Sequence, residues 1–107
     1  MIVRISLWNV ADSDTGLDEL RRDLLEESVA AFARVDGLLF GAWVSNAHAE
    51  RFGSIELFDS RDAADQPLPG RARQLIGKDP DLVEEFDLEA TVSIAPQLKY
   101  LGLAFEP

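Results

Sequence analysis

Apolar positions alternate along residues 2–10, with Val3, Ile5 and Leu7 on one side and Arg4, Ser6 and Trp8 on the other. A period of two over that length predicts a first strand. The period then lengthens. Leu17, Leu20, Leu24, Ser28, Ala31 or Phe32, and Val35 form one stripe, widened by Leu25 and Val29, which predicts a helix over about 16–35. Glu19, Arg22, Asp23, Glu26, Glu27 and Arg34 fall on its outer face. Thr15 is the expected N-cap, because Asp18 three residues on approximates a capping box and Asp18 and Glu19 suit the positive end of the helix dipole. Gly37 is the natural stop.

Two further strands follow, at 38–45 and 51–58, joined by the polar connection 46–50. Alternation puts Leu38, Phe40, Ala42 and Val44 on one face of the first, with Leu39, Gly41 and Trp43 on the other. In the second, Phe52, Ser54, Glu56 and Phe58 share a face, and Ile55 and Leu57 point away. Large apolar groups on both faces mean that both must be covered. Asp59 and Ser60 end the hairpin and offer an N-cap oxygen to a helical turn at 61–65. Pro67, Pro69 and Gly70 then force a bend, because proline cannot sit inside a regular helix. A second piece of helix is predicted at about 71–78, an acidic turn or short helix at 81–86 (DLVEEF), and a last strand at 88–95. Residues 97–105 are too apolar for a loose tail, and read as an extra edge strand or an arm reaching another subunit.

The order is βαββαβ, and the fold class is α+β. Its compact solution is the ferredoxin-like split βαβ: a four-stranded antiparallel sheet with helices on one face. The whole chain, 1–107, is then one domain. Two helices cover one face only. The other face, with Trp8 or Trp43 and several branched aliphatics, would be too large an apolar patch for a monomer. A homodimer through the sheet face is the simplest cover.

A net charge of −10 repels phosphates and anionic headgroups at long range, which argues against nucleic-acid and membrane partners. The chain contains neither a span-length apolar run nor a signal-like N-terminus, so a cytoplasmic location is the default expectation. Without cysteine there is no thiolate metal site and no cysteine nucleophile. His48, the sole histidine, lies in the hairpin connection and makes neither a triad nor a metal site. The acids Asp79, Asp81, Glu84, Glu85 and Asp87 fit no calcium-loop spacing and read as a solvated face. No metal is expected.

The long first helix ending in Val35-Asp36-Gly37-Leu38, and the junction Leu57-Phe58-Asp59-Ser60-Arg61-Asp62-Ala63-Ala64, carry a resemblance. Over most of residues 1–95 the chain resembles the dimeric α+β barrel superfamily, and within it the small monooxygenase-like proteins of the antibiotic-biosynthesis group. The resemblance implies a dimer with a pocket between sheet and helices in each subunit. Some relatives oxidise aromatic polyketides or quinols without metal or flavin, so no bound cofactor is implied. The haem-degrading branch is least similar, since residues 61–78 contain neither its histidine nor its tryptophan. The proline-interrupted second helix also departs from the simpler members.

Five residues are candidates for ligand binding. Asn9 matches an asparagine near the end of the first strand in the oxygenase branches and could orient a phenol or enolate oxygen; it could equally satisfy a turn. Trp8 and Trp43 could stack on a flat aromatic ligand, or pack in the core or dimer interface. Arg4 could anchor an anion, although an ion pair with Glu56 across the sheet at the dimer interface is the favoured reading. Tyr100 could donate a proton if the C-terminal segment folds over the pocket. The functional expectation is a small-molecule-binding, monooxygenase-like protein acting on an aromatic or quinol substrate. Its alternative is a non-enzymatic dimeric binding or stress-related module with a self-filled pocket.

Overall fold

A computed structural model describes residues 1–92. Strands β1 (Ile2–Asn9), β2 (Leu38–Asn46), β3 (Arg51–Phe58) and β4 (Leu82–Asp87) form one antiparallel sheet in the order β2-β3-β1-β4. This is the ferredoxin-like arrangement expected from the element order. Tyr100, residues 93–95 of the expected last strand and the expected arm at 97–107 lie outside the described residues.

The last strand is displaced from its expected place. DLVEEF was read as a turn or helix, yet Leu82–Asp87 is the strand, pairing antiparallel with β1 from Ile2↔Asp87 to Leu7↔Leu82. Residues 88–92 carry no strand, although the Leu88 N–H still donates to the Met1 carbonyl at 3.2 Å. Glutamates are poor strand formers, but β4 is an exposed edge, where charge is tolerated and deters further pairing. The free edge of β1 supplies backbone partners that outweigh local propensity.

The first helix, α1, runs through Leu17–Asp23, a wider π-helical stretch at Leu24–Ser28, and Val29–Phe32. Its N-cap is Gly16, and Thr15 instead donates its hydroxyl to the Leu75 carbonyl. The π stretch explains a second departure. Asp23, placed on the outer face by a regular 3.6 period, is buried. Five-residue spacing aligns it with Ser28, whose Oγ donates to Asp23 Oδ2 at 2.7 Å. The other oxygen accepts from Arg71 Nε at 2.9 Å and Nη2 at 2.6 Å. Leu25, assigned to the buried stripe, is 66% exposed.

The second helical segment breaks where the prolines require it. Helix α2 is Arg61–Asp65 and helix α3 is Arg71–Ile76. Ser60 caps α2 as expected, its Oγ accepting from the Ala63 N–H at 3.1 Å. Gly77 ends α3 in the left-handed region, at φ 90°.

On the sheet face toward the helices, β1 and β3 meet in four rungs: Ile2↔Phe58, Arg4↔Glu56, Ser6↔Ser54 and Trp8↔Phe52. The outer rungs anchor two apolar clusters. Trp8 and Phe52 pack with Val10, Leu20 and Ile76, while Phe58 packs with Ala63 and Ala64. Between them lie two polar rungs.

Trp8 and Trp43 are both on this covered face, contrary to the expectation that one would lie on the open side; Trp43 sits opposite Ser54. A register shift between Leu38 and Phe40 also separates two residues expected on one face. Leu38 pairs with Phe58 toward the helices and Phe40 with Leu57 away from them. The open face therefore presents Val3, Ile5, Leu57, Phe40, Val44 and Phe86, the last three at 40–51% exposure.

Loss of the Asp23 carboxylate strands the Ser28 hydroxyl and releases Arg71 from its partner. Asp23→Ala is expected to lower stability by about 2 kcal/mol, read from urea denaturation. Ser60→Ala is expected to cost about 1 kcal/mol through loss of the cap.

Candidate functional site

The break between α2 and α3 lies over the two polar rungs and leaves a cavity of about 260 Å³. Its floor is Arg4, Ser6, Ser54 and Glu56; Trp8, Trp43 and Phe32 form apolar walls; Leu68, Pro69 and Gly70 contribute the broken segment above. The Trp43 and Phe32 rings meet edge to face at 5.3 Å and 84°. Trp8 is held from both ends, its ring 6.3 Å from Phe52 and its Nε1 donating to the Lys78 carbonyl at 3.0 Å. A shallower depression beside Val29, Leu39 and Phe40 has apolar side chains and the Trp43 indole, but no ionisable group.

Arg4 and Glu56 are direct cross-strand neighbours, as expected. They face the helices rather than the open face, and their ion pair does not form. The Arg4 guanidinium turns to the other side. It donates from Nε and Nη2 to Glu85 Oε2, at 3.0 and 2.8 Å, and to the Ala64 carbonyl at 2.7 Å. It also lies 5.2 Å from the Phe58 ring centroid. Glu85 is shared, since Arg61 reaches both of its oxygens. Hydrogen bonds from Arg61, then from Arg4, hold the Glu85 carboxyl below the usual carboxylate range.

Glu56 is left with one hydroxyl. Ser54 Oγ donates to its Oε1 at 2.9 Å, and Oε2 is buried with no hydrogen-bond partner among the described residues. The residue is only 6% exposed. Burial pushes its pKa up, against the smaller downward pulls of the Ser54 bond and the Arg4 charge. A carboxyl poised this way can take up or release a proton nearer neutrality than an ordinary glutamate.

Of the five sequence candidates, the structure brings together Arg4, Trp8 and Trp43 around the cavity. Asn9 lies apart, exposed at the end of β1, where its Oδ1 accepts from the Ala11 N–H at 3.0 Å. Ser54 and Ser6 were not singled out from sequence, and Glu56 only as a partner of Arg4, not as a residue lining the cavity. The available signal was the run of polar residues Arg4, Ser6, Ser54 and Glu56 on strand faces otherwise apolar. His48 is exposed in the hairpin connection. Three of the five acids expected to form a solvated face are ion-pair partners, Asp79 with Arg73, Asp81 with Lys78, and Glu85 with Arg4 and Arg61, while Glu84 and Asp87 are exposed. Among the described residues no cluster of metal-ligating side chains occurs, and no helix is long and apolar enough to cross a membrane.

An antiparallel sheet in this order, covered on one face by helices, defines a ferredoxin-like fold, and solved structures share that fold. The "putative antibiotic biosynthesis monooxygenase" of Deinococcus radiodurans shares the fold at a TM-score of 0.59 and 18% identity, over 88% of this chain and 98% of its own. A protein of unknown function from Nitrosomonas europaea aligns at a TM-score of 0.64 and 15% identity, over 88% and 94%. A variant of SnoaB, a cofactor-independent oxygenase from Streptomyces nogalater, aligns at 0.52 and 15%, over 88% and 96%. No family model matches the chain, and no curated protein matches it.

The raised Glu56 pKa has a definite sign in stability. The folded state binds the proton more tightly than the unfolded chain, so this group's contribution is full below the unfolded pKa and is lost as pH rises through the folded one. Glu85 acts oppositely: its contribution is present above the unfolded pKa and is lost as pH falls through the lowered one. Glu56→Gln is therefore expected to flatten the decline in melting temperature as pH rises above the usual carboxylate range, followed by calorimetry. Acid unfolding driven by Glu85 should be unaffected. Asn9→Ala should cost stability through loss of its turn hydrogen bond, read from urea denaturation.

Proposed function

We propose that this protein binds a small aromatic molecule and acts as a monooxygenase on a phenol or quinol, using dioxygen and no bound cofactor. The observation that carries the reading is the cavity of about 260 Å³, walled by Trp8, Trp43 and Phe32 and floored by ionisable and hydroxyl groups. Apolar walls with a few converging polar groups are the usual make-up of a small-molecule site. An electron-rich phenolate can itself reduce dioxygen. The protein then needs to supply orientation, a dry environment and a place for the proton. For a phenol with a free para position the balance is phenol plus dioxygen giving para-quinone plus water.

The open face of the sheet belongs to the same proposal. Exposed Phe40, Val44 and Phe86 beside Ile5 and Leu57 make an apolar surface of the kind covered by a second copy. A self-filled, non-enzymatic module is the competing reading, and the open cavity weighs against it.

Oxygen uptake with 1-naphthol tests the activity. Equimolar consumption of oxygen and formation of 1,4-naphthoquinone is expected, reduced at least about tenfold in Trp43→Ala, where the aromatic wall is lost. Binding of the naphthol without oxygen uptake would favour the non-enzymatic module. Sedimentation velocity tests the assembly: a dimer for the unmodified protein and a monomer for Phe40→Glu, which places a charge in the apolar face.

A further inference from the structure

We infer that Ser54 and Glu56 form a proton relay for the ring hydroxyl of a neutral, one- or two-ring phenol held between Trp8 and Trp43; this rests on the aromatic-binding reading above.

Three features converge on it. The first is placement. Ser54 sits in the middle of the cavity floor, paired to Trp43 on one side and to Ser6 on the other. A ring against the Trp43 wall would have its substituent over these two hydroxyls. The second is direction. Ser54 Oγ already spends its proton on Glu56 Oε1 at 2.9 Å, so toward the cavity it presents acceptor lone pairs. It selects a ligand O–H rather than a carbonyl. The third is the unmet carboxyl oxygen. A carboxylate buried with one oxygen orphaned is costly as a purely structural element, and its neighbour Arg4 is committed to Glu85 and Ala64. That arrangement leaves Glu56 with undischarged proton affinity, and its burial raises that affinity further.

In the step itself, the ring O–H bond breaks and its proton passes to Ser54 Oγ while the Ser54 proton passes to Glu56 Oε1. The electron pair stays on the ring oxygen as a phenolate, and Glu56 becomes the neutral acid. After dioxygen adds at the para carbon, across the ring from Ser54, the peroxide anion takes a proton from solvent at the cavity mouth and Glu56 releases its own to solvent, so no proton is gained or lost overall. The hydroperoxide then loses its terminal oxygen with the para C–H proton as water, leaving the quinone carbonyl.

Size and charge narrow the ligand. Dry cavities of roughly 150 Å³ hold benzene, and drug-sized ligands fill roughly 300–1,000 Å³. At about 260 Å³ the space suits one ring or two fused rings. A net charge of −10 disfavours carboxylated or phosphorylated phenols during encounter.

Calorimetric titration at neutral pH with p-cresol and p-xylene, which differ by one hydroxyl, provides the test. The unmodified protein should bind p-cresol roughly threefold to tenfold more tightly, the worth of one neutral hydrogen bond. Ser54→Ala should bind both alike. The preference should grow as pH rises and Glu56 ionises, and lose that pH dependence in Glu56→Gln. Failure of the unmodified protein to bind either ring overturns the aromatic cavity and the relay with it. Equal binding of both rings, or a preference that Ser54→Ala preserves, overturns the relay alone and leaves the cavity standing. If Ser54→Ala lacks a native circular dichroism spectrum, the pH series on the unmodified protein decides. A preference that does not change with pH overturns the relay.

Discussion

The structure depends on how a sheet face buries two polar rungs between two apolar ones. Arg4↔Glu56 and Ser6↔Ser54 lie between Ile2↔Phe58 and Trp8↔Phe52, under helices that ought to exclude water. Each polar group has to find a partner or lose stability. Arg4 does so by turning outward to the edge strand and to the end of α2, which ties three elements to one guanidinium. Ser54 does so through Glu56. The fully buried side-chain atom left without a partner among the described residues is one Glu56 carboxyl oxygen, beside a cavity that the broken helix layer leaves unfilled.

The break is therefore as consequential as the polar residues beneath it. A continuous second helix would lay side chains across the middle rungs and close the space. Pro67, Pro69 and Gly70 interrupt it there, and the flanking helices α2 and α3 are held separately. The Ser60 cap fixes the first, and the Asp23–Arg71 pair ties the second to α1. The π-helical stretch of α1 serves the same end, since its five-residue spacing brings Ser28 and Asp23 into line to receive Arg71. Scaffold and cavity are thus stabilised by contacts that skirt the cavity rather than fill it.

Much of this was legible along the chain. The alternation in β1 and β3 named the residues of both faces, the Arg4–Glu56 register followed from it, and the prolines located the helix break. The misread features depend on non-local partners. LVEEFD has weak strand propensity and becomes a strand because β1 offers an open edge. Asp23 lies off a 3.6-residue stripe and is buried because the helix locally widens. Phe40 faces away from the helices because one irregularity in the β2–β3 ladder shifts every later residue of β2.

The sequence by itself determined the order of elements, the placement of polar residues within an apolar face, and the impossibility of one unbroken second helix. These follow from side-chain period and from proline's fixed backbone, which act over a few residues. Only the tertiary structure decided that Arg4 abandons Glu56 for Glu85 and that Ser54 becomes the carboxyl's hydrogen-bond donor. It alone left the second Glu56 oxygen without a partner among the described residues. Those outcomes are a competition among groups distant in sequence for a limited number of hydrogen bonds, and such a competition is resolved only once the chain has brought them together.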